Sequence, residues 1–553
     1  MKYAILFIAI VLTLGPLTGQ NLNLAGILDQ VKEELTDVET EKYRYEQSLE
    51  YDAEKPWRIT INIDEVNLKN DKSVAQSFYL NLADIDQKLI NIETDKEEQL
   101  VVMKCRKRQD FIRLTEDDGD LRYESELQMW SPEIDKATAL RDLFRQAAEL
   151  GEAAWKADFS PGTGMEELNE WLEENVVSVD IGGESTAIEW EPDAELSDVV
   201  ALTITSDDGE DVTVFKFSLA DLSSSNLKLG VKRETVSVTV GTVNKANLVR
   251  EENEGSLSGY ENSMTIPVIG IEEAGRVIQV LEAAIPLARK VREARLPSPE
   301  SLEGALQELS ALVTGTQREK TNIEATLSTT PLATLALKIT DIAKGDEKSE
   351  RYLFDFGDLN AKKVNLRVRG VTLAVVVDVI NGKDFVQQWK DEEEAGFDDE
   401  VAFPVNTIET SHKLLALLPY IIEQAGKIPV PVGDFAMIQE VVREASTEDV
   451  TQGIEQRDDR CKWSFRQVEE GKKVEEMLYE FNLYDLDPKK ISYNVTSKGV
   501  FLELLTLRKE ETINVYKNDE PSFTNEMVLR VNSLAAAKQL RVSVIKLVEG
   551  CVE

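Results

Sequence analysis

The chain has 553 residues, with 62 Lys and Arg against 103 Asp and Glu, a formal net charge of −41. A surface this acidic repels nucleic acid and disfavours anionic membrane, because both need phosphates neutralised by Lys and Arg. One histidine and three cysteines leave no material for a His-based catalytic set or a Cys/His zinc site.

Residues 1–20 read as a secretory signal. Lys2 is the positive start, Ala4 to Leu14 the apolar run, Gly15-Pro16 the helix break, and Thr18 and Gly19 the small residues at the cleavage region. The apolar run is shorter than the roughly 20 residues that a spanning helix needs. The expectation is an exported protein, secreted or periplasmic, without a transmembrane segment.

Downstream, the chain repeats one phrase four times: Phe78 to Ile85, Phe215 to Leu222, Tyr352 to Leu359 and Tyr479 to Leu486. The aspartates of these motifs, Asp84, Asp221, Asp358 and Asp485, are 137, 137 and 127 residues apart, and an aromatic residue (Tyr123, Tyr260, Phe397, Phe523) follows each by 39, 39, 39 and 38 residues. Loops tolerate insertions and packed cores do not, so a fixed offset marks one folded unit repeated.

Within each unit, a short amphipathic helix comes first. Leu24, Ile27, Leu28, Val31 and Leu35 recur at helical spacing, as do Met165, Leu168 and Leu172, then Leu302, Leu306 and Leu309, then Phe435, Ile438 and Val441 or Val442. Runs with period two follow: Ile59, Ile61 and Ile63; Val236, Val238 and Val240; Val371 to Val379. Such alternation predicts antiparallel strands with one wet face. In the last unit it predicts strands near 461–468, 474–483, 490–496, 499–508, 511–517 and 523–531. A closing helix ends each unit, at 132–154, 271–294, 408–425 and 533–549, with a small residue (Ala137, Ala274, Ser411, Ala537) placed to approach the sheet.

The expected fold class is therefore α+β: four tandem repeats, each an antiparallel β-barrel or roll of about six strands between a short N-terminal helix and a C-terminal closing helix. Pro/Gly linkers at 159–164, 296–300 and 428–433 bound the units near 21–156, 160–294, 297–427 and 431–553. This element order resembles the pleckstrin-homology-like fold, a bent antiparallel barrel plugged by a C-terminal helix. Members that bind phosphoinositides cluster Lys and Arg around the first hairpin. The corresponding loops here (66–76, 206–211, 343–350, 469–476) are mixed or acidic, so the resemblance implies a protein-binding or structural use.

Candidate chemistry is sparse. His412 sits in an ordinary polar turn of a helix. The motif aspartates end strands, where a short oxygen-bearing side chain accepts hydrogen bonds from turn N–H groups, so they are assigned a structural role. Acidic stretches at 116–120, 206–211 and 391–394 lack the ligand spacing of an EF-hand. Lys104, Arg106, Lys107 and Arg108 form a basic island that reads as a charged edge, and Cys105 reads as a buried small hydrophobe. Cys461 and Cys551, at the two ends of the last unit, are candidates for a disulfide in an exported protein. No catalytic, metal or cofactor residues are assigned.

The sequence thus points to an exported non-enzymatic repeat protein, a structural or binding array for a protein or polysaccharide partner. The alternatives are a carrier of apolar small molecules in the barrel cavities and, more remotely, a carboxylate-dependent carbohydrate-active enzyme. Phe78, Leu80 and Leu82 are large where a carrier needs trimmed side chains.

Overall fold

The computed structural model describes residues 18–552 apart from 96–97, 118–120, 182–183, 207–208, 210, 233–234, 314, 318–320, 472–473 and 497–498. The expected signal therefore falls outside the described residues except for its last three positions. The chain divides into two compact units, one up to Arg295 and one from Leu296 onward.

Helices come in opening and closing partners. In the first unit, α1 (Thr18–Glu34) packs on α2 (Ile134–Asp158), and α3 (Met165–Asn175) on α4 (Ile271–Arg295). In the second, α5 (Leu302–Leu312) packs on α6 (Ile408–Ala425), and α7 (Phe435–Glu444) on α8 (Leu534–Val552). Ser301, Thr407 and Asp434 cap α5, α6 and α7 through their side-chain oxygens, each satisfying a backbone N–H that the first helical turn leaves unpaired.

Between each opening and closing helix lies a pair of antiparallel sheets, here called a sheet set. In the first set, one sheet orders Val38–Glu39, Tyr43–Tyr51, Arg58–Asn67, Lys72–Asn81, Ile112–Glu116 and Arg122–Glu124. The other orders Asn91–Asp95, Glu98–Lys104 and Glu126–Ser131. The chain meanders through the larger sheet, leaves it at the motif, forms a hairpin in the smaller one, returns for a second hairpin and finishes in the smaller sheet. The same order of six strands and three recurs in the second and third sets, and an order of five and three in the fourth.

No closed barrel forms among the described residues. The physical reason lies at the motif, where Leu82–Asp84, Leu219–Asp221, Phe356–Asp358 and Leu483–Asp485 wind into one tight helical turn. That turn redirects the chain between sheets and interrupts the hydrogen-bond ladder. In the first three sets the preceding side chain caps it: Ala83 N–H donates to Asn81 at 2.9 Å, Ala220 N–H to Ser218 at 3.2 Å and Gly357 N–H to Asp355 at 2.8 Å.

A buried glutamine joins the two sheets in the first and last sets. Gln47 Nε2 donates to Trp130 O at 3.0 Å while Trp130 N–H donates to Gln47 Oε1 at 2.8 Å. Gln452 repeats both bonds with Arg530, at 2.7 and 3.3 Å. Apolar side chains fill the remaining space, and in the first unit one continuous buried cluster runs from Leu24 to Ala288. Ala137, Ala274, Ser411 and Ala537 are all fully buried. Fourteen residues further along each closing helix, Gly151, Ala288, Ala425 and Cys551 form a second small position. A Cβ on Gly151 would sit only 2.6 Å from Leu82 Cβ.

The sets hold nine strands, eight in the fourth, where about six were expected, and several strand bounds in the fourth set differ from the sequence reading. The run expected at 523–531 is broken at Asn525 into Glu520–Thr524 and Glu526–Val531, which belong to different sheets. Val450–Gln456 is a further strand; its polar alternation hid it.

Candidate functional site

Each motif aspartate lies where a tight turn meets a closing helix, and each has its own surroundings. Asp221, 3% exposed, forms an ion pair with Arg292 of α4. Asp358 lies 2.7 Å from Lys538 of α8; burial pushes its carboxyl up, and the lysine opposes that shift. Asp485 accepts a hydrogen bond from Asn482 at 3.2 Å. Asp84 is pushed up to about 7 by burial, with Arg106 opposing and the Glu272 carboxylate of α4 adding to the shift. The free thiol of Cys105 lies close enough to Asp84 for the carboxylate to add to the upward push that burial gives the thiol.

Several of the remaining singled-out residues fasten the closing helices. Cys461 and Cys551 are joined in a disulfide, with Cα atoms 5.9 Å apart, so the strand-entry loop of the fourth set is fastened to the end of α8. In the second set an ion pair does the same work: Asp198, fully buried, accepts from Arg295 of α4 and from Ser218 at 2.7 Å. Arg106 of the basic island pairs with Glu152 of α2, and Lys104 bridges Glu93 and Glu126 at 3.5 and 3.0 Å. Cys105 is a free thiol at 0% exposure, pushed up to about 12 by burial. His412 is half-buried on α6.

Within each unit, the first turns of the later closing helix meet the earlier sheet set. Glu272 of α4 takes a hydrogen bond from Arg58 Nε at 2.6 Å. Arg276 stacks over Trp155 at 4.4 Å and donates to Trp155 O at 3.0 Å. In the second unit Lys538 takes the corresponding place and reaches Asp355 as well as Asp358, both at 2.7 Å. Phe385 packs on Tyr493 with ring centroids 5.1 Å apart.

An open concavity lies on the outer face of the larger sheet in the third set. It encloses about 870 Å³ above Thr326, Ala336, Ser349, Arg351 and Trp389. Arg351 and Trp389 are cross-strand partners, and the guanidinium lies 4.1 Å from the ring centroid. Lys338 and Glu347 bridge the rim at 2.8 Å. The fourth set carries a smaller hollow of about 300 Å³ in the same register, with Tyr516 opposite Leu478. Trp389 and Tyr516 each stand 31 residues after the motif aspartate. That offset was present in the sequence, but an aromatic residue on a strand carries no mark of the face it occupies.

Beside these hollows, a turn residue clasps the neighbouring strand. Ser349 N–H donates to Asp391 Oδ1 at 2.9 Å, and Asp391 N–H returns a bond to Ser349 O at 2.8 Å. Glu476 and Asn518 repeat the exchange at 2.9 and 3.0 Å, as do Ala75 and Asp117 at 2.9 and 3.0 Å. Asp391–Glu392 and Asn518–Asp519 have positive φ at both positions, the two-residue hairpin geometry that matches strand twist. The acidic stretch at 391–394 is thus a hairpin with its first carboxylate committed to backbone. The stretch at 116–120 begins with the same clasp, its last three residues lying outside those described; half of the stretch at 206–211 (207, 208 and 210) also lies outside them.

Among the described residues no group of three or more His, Cys, Asp or Glu could hold a metal ion, and no helix is long and apolar enough to cross a membrane. No protein-family model matches the chain, and comparison with curated proteins and with solved structures finds no match either.

Proposed function

We propose that this is an exported, non-enzymatic binding protein, built from four related modules bounded near residues 21–156, 160–294, 297–427 and 431–553. Each module follows the helix-closed antiparallel design whose element order resembles pleckstrin-homology-like domains. The partner is an extended polymer, protein or polysaccharide, met outside the cytoplasm.

The observation that carries this reading is the aromatic ring in one register position on two successive concave sheet faces, Trp389 with Arg351 and Tyr516 with Leu478. A rigid ring on a hollow sheet face offers contact area at low entropic cost, and linked weak sites gain effective concentration. The space between the sheets is occupied by large side chains such as Phe78, Leu80, Trp463 and Phe465, which favours surface binding over carriage of a ligand inside.

The test is retention of the mature protein on insoluble polysaccharides and on an immobilised exported-protein fraction. The double variant Trp389→Ala/Tyr516→Ala should lose about tenfold or more in retention at about 1 kcal/mol per ring. Retention unchanged by removal of both rings would overturn the reading.

A further inference from the structure

In both units the start of the later closing helix seats beside one row of the earlier larger sheet. In the third set that row is Leu353, Gln387 and Phe397, partnered across three neighbouring strands. Leu353 and Gln387 line a small cavity together with Ser533 and Leu534 of α8. In the first set the row is Tyr79, Arg113 and Tyr123. Burial pushes the Tyr79 hydroxyl up, Arg58 opposes the shift, and Glu272 and Glu273 at the start of α4 add to it. The fourth set carries the same row as Glu480, Asn514 and Phe523. There the face is open: Phe523 is 65% exposed, whereas Tyr260 is buried and Tyr123 and Phe397 are half-buried. The helix side has its own open counterpart. Ile134 of α2 is 52% exposed, and the residues in its place on α4 and α8, Ile271 and Leu534, are half-buried.

A second pair of positions changes in step. Arg58 is the cross-strand partner of Asn81, three residues before the motif aspartate. Its equivalents are Leu332, opposite Asp355, and Lys462, opposite Asn482. On the helices, Glu272 stands two residues before the small position Ala274, and its equivalents are Ala535 on α8 and Asp135 on α2. The seated pairs match in kind. Arg58 meets Glu272 as charge against charge, at 2.6 Å, and Leu332 and Ala535 are apolar residues lining one cavity. The unseated pair is complementary too: Lys462 is an ammonium, Asp135 a carboxylate, and both are exposed.

We propose that the chain assembles head to tail with further copies of itself, the start of α2 in one copy seating on the Glu480, Asn514 and Phe523 row of the next. Ile134 lies against Phe523, which removes apolar surface of both from water, and Asp135 pairs with Lys462. The two surfaces differ, so the contact is heterologous and joins copies into a ring or an open chain. Copies that each carry a charge of −41 repel, so association should strengthen as salt screens that repulsion. The contact needs no polymer partner and is independent of the reading above.

Sedimentation velocity of the full oxidised chain over a wide range of concentration tests this, at about 0.15 M salt, where the screening length is about 8 Å. The mean mass should rise with concentration beyond that of one chain. Phe523→Asp and Ile134→Asp, both at exposed positions, should each stay single chains, and melting curves confirm that they are folded. Mixed together, the two variants should form a complex of two chains and no more, because the first supplies the intact helix start and the second the intact row. Lys462→Asp, which sets like charges face to face, should weaken association about tenfold or more, and Lys462→Asp/Asp135→Lys should restore it. A parent that stays a single chain at every concentration, association that survives either Phe523→Asp or Ile134→Asp, or a mixture of those two variants that stays unassociated would overturn the proposal.

Discussion

Lys538 Nζ lies 2.7 Å from Asp358 Oδ2 and ties the first turn of α8 to the motif turn of the preceding sheet set. Both side chains are largely buried, at 14% and 12% exposure. Removing one partner of such a pair leaves the other charge without compensation, which is costlier than never having had the pair.

Lys538→Met should therefore destabilise the second unit by about 2–4 kcal/mol, since Asp355 and Asp358 are left facing each other. The double variant Lys538→Met/Asp358→Leu should recover part of that loss. Urea melts of the four members of the cycle measure the coupling; a coupling near zero would assign the contact no energetic role.

The motif aspartates should not behave alike. Asp221→Asn loses the ion pair with Arg292 and should cost about 1–3 kcal/mol. Asp485→Asn, which loses only acceptance from Asn482, should cost about 1 kcal/mol or less. Thermal melts at one pH rank the two, and equal losses would contradict the difference in their surroundings.

Asp84 should depart from both. Its folded carboxyl sits at about 7, above its unfolded value, so the folded state holds the proton more firmly. The resulting stability is present below about pH 4 and is lost as pH rises through 7. Asp84→Asn should then match the parent near pH 4 and exceed it by about 1–2 kcal/mol at pH 8, because the carboxyl keeps partial access to solvent that softens the cost of its charge. A stability profile of the first unit that is flat from pH 4 to 8 in the parent would refute this.

Reducing the Cys461–Cys551 disulfide opens a loop of 90 residues. On the chain-entropy model that costs about 4–5 kcal/mol. Limited proteolysis with and without a phosphine reductant should show selective cutting near α8, with α4 unaffected because Asp198 and Arg295 fasten its end by charge. Equal protection of α8 in both conditions would count against a stabilising bridge.

Gln47→Ala and Gln452→Ala should each cost about 2–3 kcal/mol, because the change strands a backbone N–H and C=O between the sheets. Denaturant melts of the first and second units, followed by the tryptophans each contains, give the two values separately.

Much of this arrangement follows from sequence alone. The recurring motif, the fixed offset to Tyr123, Tyr260, Phe397 and Phe523, and the small residues on the closing helices mark the helices and the antiparallel strands, because each rests on a local period that packing cannot alter without moving hydrophobic residues into water. The small positions mattered for the expected reason: Ala137, Ala274, Ser411 and Ala537 are all buried. Tertiary structure decided what local period does not encode. Whether successive strands close into a barrel depends on where the tight turn at Leu82–Asp84 and its counterparts sends the chain. The glutamine bonds from Gln47 to Trp130 and from Gln452 to Arg530 join residues 83 and 78 positions apart, and polar residues in strands look alike until one is buried. The same holds for Trp389 and Tyr516: alternation puts them on a face, but only the tertiary structure shows that each lies at a hollow of that face.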